Sequence, residues 1–168
     1  VVREEPNGWC LGEWSTPHNR IEIPASLVNT AYFYHVTCIM ADVAGILDKK
    51  EDEHHLHTLA ETIRKNFNAA FYNDVTHHYW EGKQGADVFA LAFGLVLEGK
   101  QEKVFSALLE HLKKVNYHFD TGILATPLLL KVLTENGRAD LAYKLMNQRD
   151  FPSYGYLADK KNNTLWET

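Results

Sequence analysis

The sequence predicts an all-α protein: a portion of an α/α toroid, built from about three helical hairpins in which inner and outer helices alternate. Three segments are apolar almost all the way round, and three others carry one apolar stripe with charges opposite. The two kinds alternate along the chain. No short sequence repeat is visible, which argues against an ordinary solenoid. A helix without a polar face is usually buried, and one with a single stripe keeps a face in water. Alternation of the two therefore implies an inner and an outer layer. A four-helix bundle would instead give every helix a similar single stripe.

The first inner helix is expected over residues 25–47, where Asp42 is the only formal charge. Its outer partner carries Leu56, Leu59, Ile63, Phe67 and Phe71 on one face. The second inner helix is expected over 86–97, "ADVFALAFGLVL", and its partner shows Val104, Leu108, Leu112 and Val115. The third inner segment is 123–133, "ILATPLLLKVL". Proline fits a helix best in its first turn, so Pro127 sets the expected start near Thr126. A short outer helix follows, with Leu141, Leu145 and Met146 on its stripe.

The links are asymmetric. Inner-to-outer links are short and plain: "DKKED", "EGKQE" and "ENGRAD", with Gly99 and Gly137 as C-terminal stops. Outer-to-inner links are longer and rich in aromatics, acids and histidines: "GWCLGEWSTPHNRIEIP", "NDVTHHYWEGKQG", "VNYHFDTG" and "FPSYGYLADKKNNTLWET". Alternate links lie at opposite ends of an α/α stack, so the rich loops gather on one rim. Such a rim is where a binding mouth is expected.

Composition bounds the function. The chain has 168 residues, enough for one domain with a real core. A net charge of −5 gives no electrostatic footprint for nucleic acid, and no basic run points to a membrane surface. No apolar run approaches the length of a membrane span. Cys10 and Cys38 form neither a disulfide framework nor a metal spacing. The chain begins Val1-Val2-Arg3 without Met, which is read as a processed or excised end.

Trp9, Trp14, Trp80 and Trp166 all fall in the rich loops. Aromatic faces stack on the C–H faces of sugar rings, and carboxylates bind hydroxyls or move protons. Taken singly, each tryptophan is more often packing than ligand. Four of them on one rim, two of them beside acids (Glu13-Trp14 and Trp166-Glu167), favour a carbohydrate site. Glycoside hydrolysis usually needs two flanking carboxyl groups, and the rim offers Glu13, Glu22, Asp120, Asp159 and Glu167. His54 and His57 have the helical spacing of a metal pair but lack a Cys or paired acid, so no metal is expected and solvated surface histidines are. Neither a Ser-His-Asp signature nor a Gly-rich phosphate loop is present, and no organic cofactor is implied.

The stretches "GWCLGEWSTP", "LVNTAYFYH", "DTGILATPLLLKVLTENGRADLAYKL" and "FPSYGYLADKKNNTLWET" resemble the catalytic domain of bacterial α-L-rhamnosidases, glycoside hydrolase family 78. The resemblance runs nearly from end to end. It implies an (α/α)6 six-hairpin toroid, of which residues 1–168 would be a single-domain, C-terminal part. It also implies hydrolysis of terminal α-L-rhamnose with inversion. By resemblance, Glu167 in "TLWE" matches the catalytic general base. The partner acid lies in an acidic, Arg-rich motif with no counterpart in this chain. Trp14 of "LGEW" matches a sugar-pocket position, and Trp166 stands beside the base. Glu13, Tyr154 and His118 complete the substrate-binding candidates. The sequence departs from the family pattern at Glu13, where Asp is usual, at Tyr154, where Trp is frequent, and at Ala125, where Gly is.

The expected partner is a rhamnose-containing carbohydrate. The isolated segment is expected to be inactive and to cover its open edges, around Tyr34 and Leu129, by pairing as a homodimer. The residues leave the compartment open, and the resemblance favours the periplasm or the exterior. The rival reading is a noncatalytic helical module that binds saccharide or protein through the aromatic rim.

Overall fold

The computed structural model describes residues 12–17 and 23–160. Their regular structure is helical, apart from one isolated antiparallel bridge between Tyr72 and Tyr79. The order is α1 (Ala25–Ile46), α2 (Lys50–Phe71), α3 (Gln84–Ala92), α4 (Gln101–Lys114), α5 (Ala125–Glu135), α6 (Ala139–Met146) and α7 (Tyr154–Asp159). The first six form three hairpins, and the short α7 lies within the last rich loop.

The packing follows the sequence pattern. α1 lies along α2, α3 packs on α4 and α5, and α5 packs on α6. Along the outer helices the stripes face inward: Ile63, Phe67 and Phe71 on α2, Val104, Leu108 and Leu112 on α4, Leu141 and Leu145 on α6. Acidic Glu51, Asp52 and Glu53 open α2, and basic His111, Lys113 and Lys114 close α4. Both placements oppose the helix dipole favourably. In the centre, every residue of α3 from Gln84 to Ala90 is buried. Residues 86–97 do not form one continuous helix. α3 stops at Ala92 and Gly94 turns left-handed at φ 72°. The Leu95 amide then donates to the Ala90 carbonyl at 2.9 Å, closing the end as a Schellman turn. Leu95 and Val96 stay in the core beyond it.

Two expectations about burial need correcting. α1 is not enclosed: Phe33, Val36, Ile39, Met40, Val43 and Ile46 are all exposed along it. The open flank is also not at Tyr34 or Leu129, because both are buried. Tyr34 turns toward α2, within the electrostatic reach of Glu61 and Arg64. Leu129 belongs to the central apolar cluster. The bare face is the next strip round α1, where Met40 and Val43 border a groove shared with Asp52, His55 and Leu56 of α2.

Candidate functional site

The N-termini of the inner helices converge on one rim. A Cβ placed on Gly12 would stand 3.0 Å from Ala25, the first residue of α1. A Cβ on Gly85, in the first turn of α3, would meet Ile23 at 2.6 Å and the Ala125 side chain of α5 at 3.4 Å. The rim therefore gathers the partly positive ends of three helices, where carboxylates are stabilised.

Two of those ends take their caps from distant parts of the chain. Leu124, at the start of α5, has no capping side-chain bond of its own. Glu13 acts instead, its Oε1 accepting from the Ala125 amide at 3.1 Å. Lys83 likewise offers no cap to α3. There Asp120 acts, its Oδ1 accepting from the Gln84 amide at 3.1 Å. Asp120 is held on its other side by His111, with Nε2 at 2.8 Å from Oδ2. Gln84 returns the contact, accepting from the Asp120 amide at 3.2 Å and donating to the His118 carbonyl at 2.8 Å.

Glu13 is the most perturbed of the described rim acids. It is 1% exposed, and its buried Oε2 has no hydrogen-bond partner among the described residues. Burial pushes its carboxyl up to about 7; the amides of Ala125, Gly122 and Leu124 pull it back, and the negative Asp120 adds to the push. Next to it Trp14 is 41% exposed, and its carbonyl accepts from the Ile123 amide at 2.8 Å. One residue is thus buried in the rim and its neighbour presented on it.

Of the other described candidates, Asp120 lies within electrostatic reach of Glu13, and the rest have partners elsewhere. Asp120 is spent on capping and on His111. His118 is half-buried, with Nε2 2.9 Å from Asp150 Oδ1. Tyr154 is half-buried and meets Phe119 edge-to-face at 5.7 Å. Ser153 opens α7, its hydroxyl accepting from the Tyr156 amide at 3.0 Å and donating to the Gln148 carbonyl at 2.6 Å. Asp159 pairs with Arg149 at 2.6 Å on the surface. Trp80 is exposed and adopts φ 52°, rare for so bulky a residue, and its ring meets Phe71 in a T-shaped contact at 6.5 Å. His54, His55 and His57 are exposed on α2. Trp9, Glu22, Trp166 and Glu167 lie outside the described residues.

The sequence reading missed a buried polar network behind the rim. Asp87 is fully buried on α3 and accepts from the Tyr79 amide at 2.7 Å, with His78 Nδ1 also at 2.7 Å. Burial raises the Asp87 carboxyl, and the hydrogen bond to Asp87 raises the His78 imidazole. Tyr79 donates to Asn68 Oδ1 at 2.5 Å, and Asn68 donates to the Leu95 carbonyl at 2.8 Å. The available signal was the lone charge in "ADVFALAFGLVL". A charge inside an otherwise apolar helix requires a buried partner.

Comparison with known proteins agrees with the fold. The profile of the bacterial α-L-rhamnosidase six-hairpin glycosidase domain matches residues 2–168. An α-L-rhamnosidase of Formosa agariphila is 34% identical over 162 residues, covering 94% of this chain and 18% of that protein. One from Alteromonas sp. is 32% identical, with 94% of this chain and 18% of the relative covered. The crystal structure of Streptomyces avermitilis α-L-rhamnosidase complexed with L-rhamnose superposes with a TM-score of 0.85 at 35% identity, covering 94% of this chain and 15% of that one. The chain thus spans less than a fifth of the length of these relatives. With helical hairpins in inner and outer layers and a profile match over residues 2–168, the chain belongs to the bacterial α-L-rhamnosidase six-hairpin glycosidase domain family.

Proposed function

We propose that these residues supply the base side of an inverting α-L-rhamnoside hydrolase. In this reading residues 1–168 are the C-terminal part of a six-hairpin catalytic domain, and the three hairpins seen here are half of it. Glu167 deprotonates a water on one face of the sugar. An acid from outside the 168 residues protonates the leaving oxygen on the other, about 6.5–9.5 Å away across the water. Trp14 and Trp166 offer faces to the sugar ring, Tyr154 and His118 border the same pocket, and Glu13 supports it from within the rim. The substrate is a rhamnose-containing glycan or glycoside.

The observation that carries this reading is the Glu13-Trp14 step. A family member has buried a carboxyl among helix N-termini and used it to present an indole at the mouth of the inner layer. Among the described residues nothing comparable stands at the opposite end, where the α1–α2 and α5–α6 links are three-residue turns and the α3–α4 link tucks Leu95 and Val96 into the core. The solved relative with L-rhamnose bound supplies the sugar class.

The test is Glu167→Gln in the natural polypeptide that contains these residues. Turnover of an aryl α-L-rhamnoside should fall by about 10²–10⁴-fold with sugar binding retained, as for removal of a positioned general base. Near-normal turnover would remove Glu167 from the mechanism. The 168 residues alone should show no turnover, since the acid lies elsewhere.

A further inference from the structure

We propose that Glu13 is a positioning residue: its buried carboxyl clamps loop 12–16 onto the first turn of α5 and so fixes where the Trp14 indole stands for the sugar. This rests on the sugar-binding role given above to Trp14. Glu13 itself, with both oxygens inside the rim, acts on the ligand through its neighbour.

The clamp is built from several independent contacts. Glu13 Oε1 accepts from the Ala125 amide, supplying the cap that α5 lacks from its own sequence. One residue on, the Trp14 carbonyl accepts from the Ile123 amide at 2.8 Å. The two bonds, on successive residues, leave the loop little freedom to slide along α5. Gly122 makes the approach feasible: a Cβ there would stand 2.0 Å from the Trp14 carbonyl oxygen and 2.7 Å from Glu13 Oε1. At the other end of the loop, Gly12 is left-handed at φ 57° and packs against Ala25 of α1. Trp14 is therefore held between the starts of two inner helices.

The clamp also responds to protons. The groups facing Glu13 are Tyr32 from α1, Asp120 from the loop before α5, and the amides of Gly122, Leu124 and Ala125. Ser15, in the same loop, has a buried hydroxyl with no partner among the described residues. Among the described residues, no cation is one of the groups that act on the carboxyl. In the clamped state the carboxyl titrates at about 7, against an ordinary 4.5 when solvated. The sign follows directly. The clamped loop binds the proton more tightly than an opened one, so clamping is favoured at low pH. That advantage is lost as pH rises from about 4.5 to about 7, by at most roughly 300-fold in the closed-to-open ratio.

The experiment compares wild type with Glu13→Gln and Gly122→Ala in the natural polypeptide, using an aryl α-L-rhamnoside. Gln keeps an acceptor for the Ala125 amide but cannot titrate. The wild-type KM should climb from pH 5 to pH 8 relative to that of Glu13→Gln, with kcat changing in parallel in the two proteins. Gly122→Ala, which drives the loop off α5, should raise KM at all pH values by on the order of 10-fold or more, the usual scale for a misplaced binding group. A KM profile identical in wild type and Glu13→Gln would overturn the proposal, whether or not Gly122→Ala folds. If the enzyme cleaves no α-L-rhamnoside, the functional reading fails but the clamp is still readable. The Trp14 emission, taken as the difference between the protein and its Trp14→Phe variant, should shift with pH in wild type and stay fixed in Glu13→Gln. A Trp14 signal with the same pH response in both would overturn the clamp on its own.

Discussion

α1 and α3 are written in nearly the same alphabet and end in opposite situations. Both are apolar almost all the way round. α3 is enclosed by α1, α4 and α5, and its residues from Gln84 to Ala90 are buried. α1 touches α2 and α3 but leaves Phe33, Val36, Ile39, Met40, Val43 and Ile46 exposed. All-round apolarity thus records the number of neighbours a helix has in its complete setting. α1 carries the sequence of an enclosed helix and is short of one neighbour. A domain of six hairpins would supply it, and a second copy of the segment could take the same place. Exposed apolar surface on this scale normally has a partner.

The sharpest way to test the comparison is a matched pair of truncations. Phe89 on α3 is fully buried against Tyr32 and Phe93, with ring centroids at 5.9 and 6.1 Å. Phe89→Ala should cost about 3–5 kcal/mol, much of the stability of an ordinary domain. Phe33→Ala on α1 should change stability by no more than about 0.5 kcal/mol in the 168 residues. Denaturant midpoints decide. Equal costs would mean that Phe33 is covered after all and that the two helices do not differ.

A second pair uses charge. Asp87 on α3 is buried and holds both His78 and the Tyr79 amide. Asp42 on α1 is exposed. Asp87→Asn should destabilise by about 1–3 kcal/mol, because His78 loses its ionic partner while the Tyr79 amide keeps an acceptor. Asp42→Asn should be near neutral. If Asp87→Asn were also neutral, the polar network behind the rim would not be holding the loop between α2 and α3.

What the sequence made legible divides along the same line. The stripes on α2 and α4 were readable because periodicity is local, and Val104, Leu108 and Leu112 are buried as their spacing requires. The start of α5 near Pro127 was readable because proline constrains its own backbone. The end of α3 was not, since a left-handed Gly94 looks the same in sequence as a glycine packed inside a helix. The rim was legible as a cluster of rich loops but not in its internal roles. Glu13 and Asp120 read as two candidate acids, yet both cap inner helices, Glu13 from across 112 positions of chain. Nothing local in "LGEW" announces a contact with Ala125. Burial of that kind is decided by the third dimension, and so is the difference between a carboxylate that meets substrate and one that holds the residue that does.

The smallest effect on stability should accompany a large effect on assembly. Met40 lies at the middle of the bare strip on α1, with Val36 one turn before it and Val43 one turn after. At i−4 and i+3 these residues share one face, which is the continuous seam that helix pairing needs. If this strip is covered by a second copy, the isolated 168 residues should form a twofold dimer, the commonest closed arrangement. Met40→Lys places a charge at the centre of that seam. An exposed position tolerates lysine, so the monomer's stability should move by no more than about 0.5 kcal/mol. At the dimer interface the same charge is desolvated without a partner, which should be enough to abolish pairing. Light scattering of wild type and variant over a range of concentrations reads both states. A wild-type chain that stays monomeric at every concentration would show that α1 tolerates its bare face unaided. Wild-type dimers that survive Met40→Lys would place the contact elsewhere on the molecule.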